Sequence, residues 1–195
     1  MNVLDLHGMY DSRSTLFPNA LLYFATSASL PQAGIERADR ERNLQMLREV
    51  VDMAAARGIR VGLMSYRAYV GTDDARTMPL TRDGDVTRYT REAAEDLARR
   101  VPNLWRFGFR IGESGRDARW YADTIVAGLR AAGTGVGAYT RTWGTDPQGV
   151  ATISRATGGD LVLEAKFNGE QLGPPYPAAG ASMAGDWRAY SYEGY

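Results

Sequence analysis

Three segments of the chain end in the same way, with charged and aromatic side chains that follow an extended apolar run. The segments are residues 107–115, 136–143 and 161–170, and each is preceded by a stretch with helical periodicity. They are therefore predicted to be parallel strands whose carboxyl ends face one way. Glu113, Trp143 and Glu170 would then surround one pocket, which the neighbouring positive side chains would make suitable for a sugar acid.

Glu113 and Glu170 form the best candidate pair for acid and base chemistry. Cleavage of a glycoside needs one protonated carboxyl group, which donates to the leaving oxygen, and one ionised carboxylate, which assists water or attacks the anomeric carbon. Glu113 follows an apolar strand in a Gly-Glu-Ser-Gly turn, where partial burial would suit it to the acid role. A carboxyl separation of roughly 6.5–9.5 Å would indicate inversion, which we expect, and about 5–5.5 Å would indicate retention.

Positive side chains accompany these carboxyl groups. Strand alternation places Arg110 opposite the phenylalanines of its own strand, and it places Glu164 and Lys166 on one face of theirs. Because buried charges are costly unless they are paired, these three residues and Arg141 are predicted to form an ion network or to bind an anionic ligand.

Four further residues are candidates for substrate binding. Trp143 is a natural stacking platform for a sugar ring, although a tryptophan at a strand end can also simply pack under a loop. Tyr66 and Arg67 follow a predicted strand and would line the same pocket. His7 is either a base or sugar-binding group or a hydrogen-bonded structural residue, and no metal motif includes it.

The order of elements predicts an α/β fold built from parallel (β/α) units. Strands are predicted near residues 3–6, 21–25, 59–65, 104–111, 136–142 and 161–166, with helices between the later ones. The helix over 37–57 carries an apolar stripe that Met46 and Met53 widen, and the next helix is predicted to begin near Thr90 as its N-cap. The alternatives are an open doubly wound sheet and a (β/α)8, or TIM, barrel.

The barrel is favoured because the glycine-rich phosphate loops of nucleotide-binding open sheets are absent. Six strand candidates in 195 residues fall short of the eight strands and roughly 250 residues of a full barrel. We therefore expect a single domain over residues 1–195 that is an incomplete barrel.

The three segments together resemble family 67 α-glucuronidases. Residues 101–115, with Gly-Glu-Ser-Gly, are similar to the strand and acid-bearing turn of that family. Tyr-Thr-Arg-Thr-Trp at 139–143 is similar to its Trp-Arg-Ala-Phe strand end, and Glu-Ala-Lys-Phe-Asn-Gly-Glu at 164–170 to its Gln-Ile-Lys-Asn-Gly strand. The order of the blocks also agrees, over roughly residues 40–175.

This resemblance implies an inverting, exo-acting glycosidase that removes glucuronic or methylglucuronic acid from xylan-derived oligosaccharides. Glu113 would match the general acid and Glu170 one of the carboxylates that activate water, while Arg141 and Lys166 would bind substrate. Arg110 would stand where the family has a lysine before its acid. The chain departs from the family in Glu-Ser-Gly instead of Ser-Glu-Gly and in Asn-Gly-Glu without a Pro-Ile-Asp spacing, and the family's second base has no counterpart here.

Composition limits the partners. Lys plus Arg equals Asp plus Glu at 23 each, so no overall field points to nucleic acid or to an anionic membrane. The expected partners are an oligosaccharide or glycoside substrate and either the remaining barrel strands or a homo-oligomer. No cofactor is expected.

No apolar run approaches the roughly 18 residues of a membrane span and no secretion signal is visible, which leaves cytoplasm and periplasm open.

Two other functions also fit the sequence. A carbohydrate-binding barrel without catalysis would keep Arg141, Trp143 and Lys166 but misplace one carboxylate. A phosphate-sugar aldolase or isomerase could use Lys166, the one lysine of the chain, as a Schiff base.

Overall fold

The computed structural model describes residues 2–7, 19–70, 79–112 and 114–164. Glu113, Lys166 and Glu170 lie outside these residues, as does the turn-rich segment that follows Glu170.

Five strands form one parallel sheet in which each strand pairs with the next along the chain. They are β1 (Val3–Leu6), β2 (Arg60–Ser65), β3 (Arg106–Phe109), β4 (Gly137–Arg141) and β5 (Leu161–Glu164). The order β1-β2-β3-β4-β5 contains no reversal among the described strands. Such a reversal is the feature that creates the ligand crevice of a doubly wound sheet.

Helices occupy the connections between these strands. They are α1 (Leu21–Phe24), α2 (Arg37–Ala55), α3 (Asp83–Arg100), α4 (Ala118–Tyr121), a π-helical turn (Ala122–Val126), α5 (Ala127–Ala132) and α6 (Pro147–Ala156). α4, the π-helical turn and α5 run on without a break. Gly133 ends α5 in the left-handed region, and the Asp146 carboxylate caps α6 by accepting from Gly149 N.

The two faces of the sheet differ in character, as alternation predicts. Apolar residues of one face join the described helices in the main core; among them are Val61, Leu63, Phe107, Phe109 and Ala138. On the other face, Met64, Tyr66 and Tyr139 form a small separate cluster with Val162 at its side. That second face also carries the charged residues, so we call it the polar face.

The predicted strand over residues 21–25 is wrong, because Leu21–Phe24 is one turn of helix. Leu21, Leu22 and Tyr23 are all buried, so no side of the segment is polar. The sequence of this segment therefore shows neither the helical nor the strand spacing of apolar residues. The turn is held by the Asn19 side chain, which accepts from Leu21 N, and by Tyr89, which donates to Leu21 O.

The prediction that Thr90 caps the third helix is also wrong. α3 begins seven residues earlier, at Asp83, and Thr90 is buried within it and donates to Val86 O. Asp83 and Asp85 supply the negative charge that favours a first helical turn, and Val86 continues the apolar stripe toward the amino end. Ala94, Leu97 and Ala98 of the same helix are buried.

Met46 and Met53 do not belong to the core of α2. Their exposed fractions are 60% and 54%, while Leu44, Leu47 and Val51 are buried. The buried stripe of α2 is therefore narrower than the sequence predicts. Arg40, in the first turn of α2, is buried and donates to Ala33 O and Pro31 O.

Carboxylates of α3 hold the loop that joins α1 to α2. Glu92 accepts from the Ser27 hydroxyl and from the backbone and hydroxyl of Ser29, and Asp96 accepts from Thr26 N at 2.9 Å. Burial acts to raise the pKa of Glu92, but the hydrogen bonds from Ser27 and Ser29 outweigh it and hold the pKa below its ordinary value. For Asp96, burial prevails and the pKa is raised.

Replacing Glu92 by glutamine should lower the free energy of unfolding by about 2 kcal/mol at neutral pH, because hydrogen bonds to the charged group are lost. Since the folded pKa of Glu92 is depressed, its contribution is present above the unfolded pKa of about 4.3 and lost as the pH falls through the folded value. Urea titrations at neutral and acidic pH measure this. Glu95→Gln removes an exposed i,i+4 pair with Arg99 and should change stability by less than about 0.5 kcal/mol.

Candidate functional site

The polar face is organised in rows that follow the strand register. The lowest row is Gly62, Arg106 and Gly137, and the middle row is Met64, Gly108, Tyr139 and Val162. Ser65 pairs with Phe109 and Phe109 with Thr140, so the residues that follow them, Tyr66, Arg110 and Arg141, form a top row that Glu164 completes. The top row lies at the carboxyl ends of the strands.

The Tyr139 side chain lies across two neighbouring strands because both lack a side chain there. A Cβ on Gly108 would clash with the Tyr139 ring, and a Cβ on Gly62 would lie 3.4 Å from its hydroxyl oxygen. The ring therefore spans from β4 to β1, where the Tyr139 hydroxyl donates to a carboxylate oxygen of Asp5.

A chain of hydrogen bonds continues from Asp5 to the top row. The second carboxylate oxygen of Asp5 accepts from His7 Nε2, and His7 Nδ1 lies 2.9 Å from the Tyr66 hydroxyl. Arg110 Nη2 donates to that hydroxyl at 2.8 Å, and its guanidinium lies 4.3 Å from the centre of the Tyr66 ring. We call Asp5, His7, Tyr66, Arg110 and Tyr139 the Asp5 cluster.

The Asp5 carboxyl is the negative end of this cluster. Burial acts to raise its pKa, but hydrogen bonds from His7 and Tyr139 and the charge of Arg110 together hold the pKa below its ordinary value. Asp5 is therefore ionised at neutral pH and can hold the proton on His7 Nε2. Arg110, the opposite charge, is only 1% exposed.

Beside the cluster, Arg141 and Glu164, two members of the predicted network of four charges, form an ion pair. Arg141 Nε donates to Glu164 Oε2 at 2.5 Å, and the Arg141 side chain is mostly buried while that of Glu164 is 41% exposed. Arg110 contacts Tyr66 and His7. Lys166 lies outside the described residues, so the network of four charges as a whole stays a prediction.

The loops after β3 and β4 touch beside the top row. A Cβ on Gly144 would lie 2.2 Å from Gly112 Cα, so only glycine at position 144 allows this approach. Trp143 is half-buried and packs against the turn that carries Gly112. This contact fits the predicted packing of Trp143 under a loop, and it leaves its stacking on a sugar a prediction.

The sequence-predicted residues are thus partly brought together. His7, Tyr66 and Arg110 meet in the Asp5 cluster, and Arg141, Glu164 and Trp143 lie beside it on the neighbouring strands. The Arg67 guanidinium instead lies 5.6 Å from the centre of the Tyr69 ring, with no described contact to the cluster. Glu113, Glu170 and Lys166 fall outside the described residues, so their pairing stays a prediction.

Sequence reasoning missed Asp5 and Tyr139. Asp5 adds a second carboxylate to a face for which the sequence counts only Glu164, so the positive excess there is smaller than predicted. A usable signal was present: Asp5 and His7 alternate along one strand, and Gly62 and Gly108 leave room for a large ring on the strand beyond them.

A separate cleft of about 680 Å³ lies at the opposite end of the sheet. It is lined by residues that begin the strands, including Arg60, Trp105 and Arg106. Arg106 is paired there with Asp160 at 2.5 Å and also donates to Ala138 O. These contacts stabilise the start of β4 and β5 and offer no acid and base pair.

No family model matches this chain, and no curated protein or solved structure is significantly similar to it. Within residues 2–7, 19–70, 79–112 and 114–164, no helix has the length and apolar character needed to cross a membrane. Across the same ranges, no group of three or more histidine and acidic side chains is placed to hold a metal ion.

Proposed function

We propose that this chain belongs to a (β/α)8-barrel glycoside hydrolase that removes an acidic sugar from a uronic-acid-bearing glycan. The observation that carries the proposal is the convergence of the Asp5 cluster and the Arg141–Glu164 pair on one face at the carboxyl ends of parallel strands. In barrels with this construction, the active site lies at that end.

The strand order supports the barrel. Five parallel strands in sequential order, with the described helices packed on one face, are what the first part of a barrel requires. The rows on the polar face also alternate large and small residues, since Met64 and Tyr139 flank Gly108. Barrel interiors are filled by such rows, to which alternate strands contribute the large side chains.

The arginines of the top row support an acidic substrate. Arg110 and Arg141 occupy neighbouring positions on β3 and β4 and the same face of the sheet. Guanidinium groups bind carboxylates in a fixed two-pronged geometry, and their charge is strongest in a site from which water is excluded. A sugar carboxylate bound there would lie close to the turn in which Glu113 follows β3 in the sequence.

Glu113 and Glu170 complete the proposed reaction. Glu113 would protonate the leaving oxygen while Glu170 assists the attack of water on the anomeric carbon, with inversion as the expected outcome.

The test is to incubate the full-length protein with uronic-acid-substituted xylo-oligosaccharides, aryl uronides and neutral aryl glycosides. Release of free uronic acid, with the anomeric form of the first product read by NMR, supports the proposal. Binding without cleavage would instead favour the carbohydrate-binding barrel.

Arg141→Gln should raise KM for uronides by about 10- to 100-fold and leave KM for neutral glycosides within about twofold. The reason is that an ionic hydrogen bond of about 1.5–3 kcal/mol to the sugar carboxylate is lost. Arg119→Gln, which removes an exposed arginine on α4, is the matched control and should change neither value. Equal losses on acidic and neutral substrates would argue against an anion pocket.

A further inference from the structure

Three residues of the Asp5 cluster have the geometry of a hydroxyl group, a base and a carboxylate that orients the base. The Tyr66 hydroxyl lies 2.9 Å from His7 Nδ1, and the other ring nitrogen of His7 donates to Asp5. A hydroxyl within hydrogen-bond distance of a base that a third group orients is the arrangement by which proteins move a proton from an oxygen.

The hydrogen-bond partners determine where each proton lies. Asp5 is ionised and accepts, so in the neutral His7 ring the proton lies on Nε2 and Nδ1 is the acceptor. Arg110 can only donate, so the Tyr66 oxygen accepts from Arg110 and donates its own proton to His7 Nδ1. Each hydrogen bond of this series is then donated in the same direction, from Arg110 through Tyr66 and His7 to Asp5.

Side chains on or next to four strands contact this series of hydrogen bonds. Tyr139 of β4 donates to Asp5 and holds the carboxylate from the side opposite His7. Arg110 follows β3 and stabilises negative charge on the Tyr66 oxygen, because its guanidinium both donates to that oxygen and lies over the ring. The His7 side chain is 27% exposed, so a proton that arrives there can pass to solvent.

We propose that Tyr66, His7 and Asp5 form a proton relay that takes the proton of the hydrolytic water, and that Tyr66 is the member that touches this water. This inference rests on the proposed function and supplies the second proton acceptor that the sequence does not reveal. As the water oxygen bonds to the anomeric carbon, its proton passes to Tyr66 Oη and the phenol proton passes to His7 Nδ1. The glycosidic bond breaks, its electron pair stays on the leaving oxygen, and that oxygen takes a proton from the general acid.

The kinetic test compares Tyr66→Phe with Tyr69→Phe on a uronic-acid-substituted xylo-oligosaccharide. Tyr66→Phe removes one oxygen and should lower kcat by about 100-fold or more with little change in KM, since a proton acceptor is lost and binding is not. Tyr69 is exposed and lies outside the cluster, so Tyr69→Phe should react at the wild-type rate. If wild-type protein cleaves the substrate and Tyr66→Phe cleaves it equally fast, the relay is overturned while the proposed function stands.

The second test does not need activity, because His7 is the one histidine of the chain and gives a single set of imidazole signals. Nitrogen-15 NMR of the neutral ring should show the proton on Nε2, a Nδ1 signal that shifts in Tyr66→Phe, and a Nε2 signal that shifts in Asp5→Asn. If the wild-type protein cleaves no glycoside, the proposed function fails and the action of the relay on water fails with it; these signals then decide only whether Tyr66, His7 and Asp5 form the hydrogen-bonded series. A proton on Nδ1, or a Nδ1 signal indifferent to Tyr66→Phe, overturns it.

Discussion

Alanine at position 108 should lower the free energy of unfolding by about 2 kcal/mol, although the change adds a single methyl group. The new Cβ would clash with the Tyr139 ring and lie 2.9 Å from Met64 Cε, which is fully buried. The ring cannot retreat without losing the hydrogen bond that its hydroxyl donates to Asp5. Overpacking of this kind typically costs about 1–3 kcal/mol, and a lost hydrogen bond to a charged group adds to that cost.

Urea unfolding of Gly108→Ala beside Gly84→Ala gives a matched comparison. Gly84 lies in the first turns of α3, where a Cβ would meet nothing within 4 Å. Alanine is the better helix former, so Gly84→Ala should raise the free energy of unfolding by about 0.5–1 kcal/mol. We therefore expect the free energy of unfolding to fall in Gly108→Ala and to rise in Gly84→Ala. If Gly108→Ala were as stable as the wild type, the Tyr139 bridge across β2 and β3 would be disproved.

Glutamine at position 113 should abolish turnover of natural glycans, with kcat lower by about 10²- to 10⁴-fold, if Glu113 is the general acid. A leaving sugar needs a proton on its oxygen as the bond breaks, whereas a nitrophenolate leaves without one. The loss should therefore be far smaller on nitrophenyl uronides than on xylo-oligosaccharides. Binding, measured by titration calorimetry with a xylo-oligosaccharide, should remain within about threefold because glutamine preserves the shape of the side chain.

Glu49→Gln controls for a general effect of the substitution, because Glu49 lies on α2 and its described contact is with Gln45, one turn earlier. It should react like the wild type on both substrates. Losses of equal size on nitrophenyl uronides and on xylo-oligosaccharides would assign Glu113 a structural role and remove it as the acid.

Patterns of local period predict most of this fold. The apolar stripe of α2 and the alternation in β3 are each visible within a few residues; the structure confirms the alternation, and it confirms the stripe except for Met46 and Met53. Leu21–Phe24 fails for the reason that a segment buried on all sides has no period, so its conformation depends on Asn19 and Tyr89, which only the folded chain brings near. The early start of α3 was predictable from Asp83 and Asp85, which suit a first turn.

The site was harder to predict because its members come from different strands. Arg110 and Arg141 can be predicted from the alternation of side chains along a strand, because that alternation is visible within each strand separately. The link from Tyr139 to Asp5 depends on the register of four strands and on two glycines between them. No local pattern contains that information, so a residue such as Asp5 can be recognised only once the sheet order is known.

The bond between Tyr139 and Asp5 joins positions 134 residues apart in the chain. Contacts of such long sequence separation carry a large loop-closure cost and form late, after local helices and neighbouring strand pairs have appeared. The Tyr139–Asp5 hydrogen bond can therefore form only after β4 has paired with β3, and until then the Asp5 carboxylate is solvated. Assembly of the sheet and completion of the site therefore depend on the same step, the pairing of β4 with β3.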